Sequence, residues 1–258
     1  MNQNSLECSF DFASDGELIV LYPEGIQDHT GIYPTESDRL AATAFAETTT
    51  GKSLLMRQRK MLMYDDRTGL LNERAGRQYI EKELERINDI EFTGSISVIF
   101  IDLDHFGAVN KEHSHAVGDL VLQWFSQLLK KRTRGSDIVI RWGGEEFVIF
   151  CTQGTVPVSR IHAAETRDRD DNLNTLADHG MHIANRIKRA LEAAPASVAG
   201  AVINQRATFG VATMLVTPQD DVEGAYQKLF TQAERLVGKA KLTDTRGEIH
   251  VAETSIMS

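Results

Sequence analysis

Residues 137–151 read Asp-Ile-Val-Ile-Arg-Trp-Gly-Gly-Glu-Glu-Phe-Val-Ile-Phe-Cys. Two apolar, β-branched runs flank Trp142-Gly-Gly-Glu-Glu146, the pattern of two strands joined by a tight turn. Gly143 and Gly144 tolerate positive φ and carry no side chain, so the backbone there can turn sharply and lie close to a ligand. Upstream, Ser95-Ile-Ser-Val-Ile-Phe-Ile101 has the length and composition of a buried strand and stops at Asp102-Leu103-Asp104. This predicts carboxylates at a strand end, exposed to a ligand. Glu145 and Glu146 also sit where a strand meets a turn, so adjacent strands would bring the two acidic clusters together. Carboxylate oxygens are hard ligands suited to magnesium, which shares itself between one or two carboxylates and substrate phosphates. Such a site performs phosphoryl or nucleotidyl transfer. Read alone, the segment equally fits a plain hairpin with solvated turn acids.

Strands and helices alternate outward from this hairpin. Gly118–Lys130 carries Leu120, Val121, Trp124, Phe125 and Leu128 on one helical face. Further helices are predicted near 175–194 and 222–241, with strands near 207–213 and 247–252. Residues 154–174, with Arg167-Asp-Arg-Asp-Asp171, lack periodicity and read as a mobile surface insertion. Near the N-terminus, Asp15-Gly16 between two apolar-rich stretches suggests a β-hairpin over 9–22, and Thr35 with Asp38 offers a helix start before Leu40. A boundary falls near residue 52. Leu54, Leu55, Met61 and Leu62 recur at about seven-residue spacing, so 53–64 reads as a helical linker that packs on its own copy or on its own domain.

With 258 residues, 41% of them hydrophobic and 25% charged, the chain has room for one catalytic domain and a modest extension. No apolar run approaches the ~18–20 residues that span a bilayer. The first residues lack the basic start and apolar stretch of a secretory signal, which predicts a cytoplasmic protein without membrane insertion. Cys8 and Cys151 stand outside any CxxC and read as free thiols. The net charge of −9 opposes broad attraction to nucleic acid.

From Asp65 onward the chain resembles the GGDEF domain of diguanylate cyclases. Asp65-Asp-Arg-Thr-Gly-Leu-Leu-Asn72 is similar to the family's opening motif DxLTGLxN, and Asp102-Leu-Asp-His-Phe-Gly-Ala-Val-Asn110 to DxDxFKxxN. His115-Ala-Val-Gly-Asp119 matches HxxGD, Arg141-Trp-Gly-Gly-Glu-Glu-Phe147 the signature hairpin, and Thr208-Phe-Gly-Val-Ala212 resembles SxGxA. The resemblance implies an α/β palm-like nucleotidyl cyclase fold. In it, about five mostly antiparallel strands are flanked by helices over 65–258, with residues 1–52 as a short extension of unknown role. It further implies condensation of two GTP into cyclic di-GMP by a homodimer.

On the same resemblance, Asp102 and Glu145 bind Mg2+ (or Mn2+) through side chains, and Leu103 does so through its carbonyl. Asn110 and Asp119 read guanine, Gly143 and Gly144 line the substrate, and Lys241 neutralises the triphosphate. Arg141 adds positive charge near the phosphates. Glu146 binds a second ion or helps deprotonate the attacking 3′-hydroxyl. Asp104 is an outer-shell group or a turn anchor. His105, His113 and His115 lack a ligand pattern and read as structural. Arg134-Gly-Ser-Asp137 matches the RxxD product-inhibition site at its fixed offset before Gly143, which makes cyclic di-GMP both product and inhibitor.

This sequence departs from the family at several places. Gly107 stands where a phosphate-contacting lysine is usual, Glu73 replaces an arginine, Lys111 an acid and Gly238 a tyrosine. Arg246 lies one residue beyond its usual place, now held by Thr245. Two rivals follow: a catalytically silent GGDEF domain that binds GTP or cyclic di-GMP and signals through a partner, and another nucleotidyl cyclase on the same palm.

Overall fold

The computed structural model describes residues 9–12, 18–21, 48, 62–90, 92–154, 178–217, 220–252 and 255–256. The chain divides into two compact units, residues 1–62 and 63–258. In the first, β1 (Ser9–Phe12) and β2 (Leu18–Leu21) pair antiparallel with Phe10 opposite Val20, as the apolar stretches around Asp15-Gly16 suggest. The helix start at Thr35, most of the 53–64 linker and all of the 154–174 insertion beyond Gly154 lie outside the described residues.

The second unit begins with β3 (Leu71–Asn72), which runs into α1 (Glu73–Asp89), started by the Asn72 side chain accepting from Ala75 N at 2.9 Å. The long strand β4 (Gly94–Leu103) follows, then α2 (Phe106–His113) and α3 (His115–Arg132). The hairpin is β5 (Ile138–Arg141) and β6 (Glu146–Gly154). Next come α4 (His179–Ala193), the small antiparallel pair β7 (Ala196–Val198) and β8 (Ala201–Ile203), and β9 (Ala207–Val216). The chain closes with α5 (Val222–Leu242), β10 (Ile249–Val251) and β11 (Ser255–Ile256).

Among the described residues the main sheet has seven strands in the order β10-β9-β4-β6-β5-β3, with β11 also on β9. Its centre, β9-β4-β6-β5, is antiparallel throughout, while β3, β10 and β11 add parallel edges. The expectation of about five strands, with one near 247–252 that is β10, missed β3 and β11, because strands of two residues are too short to show a period.

Alternation along the strands splits the apolar side chains between two cores. On one face Ile99, Ile101, Phe147, Ile149 and Phe209 pack on Val121, Leu122 and Phe125 of α3 and on Ile183 and Ile187 of α4. On the other, Val98, Phe100, Val148 and Phe150 pack on Ile80 and Leu84 of α1 and on Tyr226, Leu229 and Val237 of α5. Helices on both faces explain why every residue of β4 is buried, and why its sequence reads as a continuous apolar run rather than an alternating one. No described helix is long and apolar enough to cross a membrane.

Cys151 is a free, buried thiol whose Sγ faces Ser97 O at 3.8 Å. Burial pushes its pKa up, holding it in the protonated, unreactive form.

Candidate active site at the end of the central strands

The register of the central strands builds the site. Asp102, next to last in β4, lies opposite Glu146 of β6 on one side and Thr208 of β9 on the other. One residue on, Leu103 N donates to Glu145 O at 3.1 Å, so both acidic clusters meet at one corner of the sheet. The even-numbered side of β4 faces α5, and from that helix Lys241 Nζ donates to Asp102 Oδ2 at 2.6 Å.

Asp102 and Asp104 are not open to solvent as strand-end carboxylates were expected to be. Flanked by β6 and β9, they retain only 3% and 6% exposure. Asp104 Oδ1 accepts from Thr208 Oγ1 at 2.7 Å, and Thr208 Oγ1 in turn accepts from Gly247 N at 2.9 Å. Asp104 is thereby anchored, but its Oδ2 is buried without a donor. Gln205 adds a further brace, Nε2 donating to Asp104 O at 2.7 Å. Neither the Gln205 amide nor the Thr208 hydroxyl can be read as a brace from local sequence, because their partner Asp104 lies about a hundred residues away along the chain.

Burial raises the pKa of Asp102 above the usual carboxyl range, opposed by Lys241, and nearby Asp104 raises it further. Glu146 is raised by burial first and then by the charge of Asp102, again opposed by Lys241. Desolvated, mutually repelling carboxylates and an orphaned acidic oxygen are relieved by a cation. Hard oxygen donors of this kind fit a divalent ion. No group of three or more His, Cys, Asp or Glu side chains poised for a metal occurs among the described residues. An ion here would therefore complete its shell from main-chain carbonyl, water and phosphate oxygens, as magnesium commonly does.

The hairpin is held differently from expectation. Gly143 and Gly144 do not take positive φ. What matters at Gly143 is the missing side chain, since a Cβ would lie 2.8 Å from Glu146 Oε2. Trp142 N and Gly143 N both donate to Glu146 O, at 2.9 and 3.3 Å, which closes the turn.

Arg141 lines the cleft beside this turn, and its guanidinium is bonded into the turn itself. It donates from Nε to Gly143 O at 3.0 Å, from Nη2 to Gly144 O at 2.6 Å and from Nη1 to Asp65 Oδ1 at 2.9 Å. At 8% exposure it braces the hairpin. Asp65 Oδ1 also accepts from Thr68 N and Oγ1, at 2.8 and 2.6 Å, tying the opening motif to the signature hairpin.

Burial alone would raise the Asp65 pKa, but hydrogen bonds from Thr68 and Arg141 outweigh it and hold the carboxyl below its usual value. A depressed carboxyl pKa contributes stability above the unfolded pKa, and that stability is lost as pH falls through the folded value. Asp65→Asn should therefore destabilise the protein by about 2 kcal/mol at pH 7. The difference from the parent should begin to shrink as pH falls below about 4, the unfolded value, and be smallest below the lower folded value, where both chains lack the charge. Urea unfolding at several pH values checks this, and a deficit that does not change with pH would contradict it.

The two predicted guanine readers flank one glycine. Asn110 ends the long DxD segment on α2, and its Oδ1 lies so near Gly118 that a Cβ there would approach to 1.9 Å. Asp119 follows on α3 and accepts from Arg67 Nη1 at 3.0 Å. Gly107 faces open space, with nothing within 4 Å of a Cβ. His105 starts α2 with φ 56° and its Nδ1 lies 3.4 Å from Arg246 Nη1, so it shapes the loop beside the site.

On the opposite edge, Asp137 Oδ2 accepts from Arg134 N at 2.6 Å and Asp137 N donates to Arg134 O at 3.1 Å. This turn borders a pocket of about 370 Å³ lined also by Tyr64, Tyr79 and Lys130.

Residues 62–176 match the family model of the diguanylate cyclase GGDEF domain. Over 184 residues the chain is 26% identical to diguanylate cyclase DgcP of Pseudomonas aeruginosa, covering 71% of this chain and 23% of that protein. It is 27% identical over 158 residues to diguanylate cyclase A of Treponema denticola, covering 60% of this chain and 36% of that one. The chain thus aligns with little more than a third, or less, of these relatives' lengths. Among solved structures, the coiled coil and GGDEF domain of DgcB from Caulobacter crescentus, in complex with c-di-GMP, superposes with a TM-score of 0.59 at 15% identity. That match covers 84% of this chain and 100% of DgcB's, a likeness of fold.

Proposed function

We infer the activity from family membership: this chain belongs to the diguanylate cyclase GGDEF family. The reading is a cyclase that condenses two GTP into cyclic di-GMP and two pyrophosphates. The observation that carries it is the register that sets Asp102 opposite Glu146, with Lys241 on Asp102.

Asp102 and Glu145, with the Leu103 carbonyl, would hold Mg2+ or Mn2+. When bound, the ion polarises the α-phosphate and offsets charge as pyrophosphate leaves. Lys241 would turn from Asp102 toward the triphosphate. Asn110 and Asp119 would orient guanine, and the bare backbone at Gly143 and Gly144 admits the nucleotide close to the strands. Glu146, whose burial raises its proton affinity, would take the proton from an attacking 3′-hydroxyl. Each 3′-oxygen forms a bond to the other nucleotide's α-phosphorus as the α–β bridging bond breaks.

Gly107 favours the rival reading of a silent nucleotide-binding domain, because no lysine fills the open space beside it. Incubating the purified chain with GTP and Mg2+, followed by nucleotide chromatography, separates the readings. Cyclic di-GMP supports the cyclase, bound but unchanged GTP the silent domain, and another cyclic nucleotide the third reading. GTP supply points to the cytoplasm as the place of action.

A twofold product from two identical substrates needs two half-sites, and one hairpin supplies one. The rate per protomer should therefore fall on dilution as a homodimer dissociates. A constant rate, measured while light scattering reports monomer, would contradict the half-site mechanism.

Product feedback would act through Arg134, exposed beside its pocket, since a guanidinium can grip phosphate with two parallel donors. Arg134→Ala should weaken cyclic di-GMP inhibition about tenfold or more, on the scale of a charge-assisted hydrogen bond. An unchanged inhibition constant would show that the turn is not the inhibitory site.

A further inference from the structure

Where the DxLTGLxN pattern carries its leucine, this chain has Arg67. The residue sits in the turn fixed by Asp65 and Thr68. From there its Nη1 reaches across to α3 and donates to Asp119 Oδ1 at 3.0 Å. It also lines a pocket of about 450 Å³ shared with Asp65, Trp142, Gly143 and Gly144. Arg67 therefore spans from the hairpin to the predicted guanine reader. The pair is solvent-open, with side chains 54% and 37% exposed. Exposed ion pairs add about 0–1 kcal/mol, so stability is a weak reason for this contact.

We propose that Arg67 is a specificity residue that reads O6 of guanine beside Asp119, an inference that rests on the reading of Asp119 as a guanine contact. A carboxylate accepts from the ring N1–H and the exocyclic amine of guanine, and O6 is the next acceptor on the same edge. A planar guanidinium can give one N–H to the carboxylate and another to that neighbouring oxygen. Adenine reverses both groups, offering an unprotonated N1 and an amine at C6. Asp119 would then lack a donor and Arg67 would face one, so the two residues discriminate in the same direction. Neither residue needs to move between states for this, because they already touch.

The test compares GTP with 6-thio-GTP, which keeps N1–H and the amine but replaces O6 by a weakly accepting sulfur. Affinity is read by equilibrium dialysis and kcat/KM by product formation, on the parent, Arg67→Leu and Arg67→Lys. The parent should favour GTP by about tenfold, the scale of a hydrogen bond to a charged group. Arg67→Leu should lose about tenfold on GTP and far less on 6-thio-GTP, bringing the ratio near one. Arg67→Lys, which keeps a donor, should retain part of the preference. Equal losses on both nucleotides would mean that Arg67 only shapes the pocket, and gains on both would mean that it blocks Asp119. Either result overturns the proposal while the cyclase reading stands. A parent that binds no GTP would remove both.

Discussion

Asp102→Asn and Glu145→Gln should each lower cyclic di-GMP formation by about 10³-fold or more, the loss of several kcal/mol of transition-state stabilisation expected when a metal ligand is removed. Both substitutions keep the size of the side chain and remove its charge. The fold should survive them. Asp102 is 3% exposed, and its raised pKa means that the ionised carboxylate is held at a cost even with Lys241, and to a lesser degree Arg246, offsetting it. A neutral amide relieves that cost, so the melting temperature of the metal-free protein should not fall appreciably. Glu145 meets β4 through its main-chain oxygen, a contact that the glutamine keeps. Circular dichroism and thermal melts would establish folding, and rates with Mg2+ would establish the loss. Undiminished product formation by either folded variant would refute the metal assignment.

GTP should be preferred to ATP by about 10⁴ in kcat/KM, because a site built for hydrogen bonds leaves buried polar groups unpaired when the wrong base enters. Asn110 and Asp119 are the proposed reading edge, and Gly118, next to Asp119 in the chain, leaves room for the Asn110 carboxamide. The comparison needs both nucleotides at matched Mg2+, with kcat and KM resolved separately. Comparable kcat/KM values would mean that these residues do not read the base.

Much of the fold was legible because the decisive strands are long. Gly94–Leu103 and Glu146–Gly154 are buried between helices on both faces, so their apolar runs declare themselves locally. The edges did not: Leu71–Asn72 and Ser255–Ile256 are strands only by virtue of the neighbours they join. At the site, the acidic clusters could be read, since strand ends and turn acids stand out in sequence. Their burial could not, because it depends on both flanking strands. Arg141 illustrates the same limit. Its place beside the glycines suggested phosphate binding, but its partner Asp65 lies 76 residues away, and that contact turns the guanidinium inward. The Arg67–Asp119 pair, 52 residues apart, carried only one local signal, a charge in an otherwise apolar motif position.

The central claim, that the corner holding Asp102, Glu145 and Glu146 joins two GTP molecules, is tested most directly by counting both products of one reaction. Purified chain, GTP and Mg2+ should yield pyrophosphate and cyclic di-GMP in a ratio of two to one, with both products lost in Glu145→Gln. GTP binding without pyrophosphate release, or pyrophosphate release without cyclic di-GMP, would contradict it.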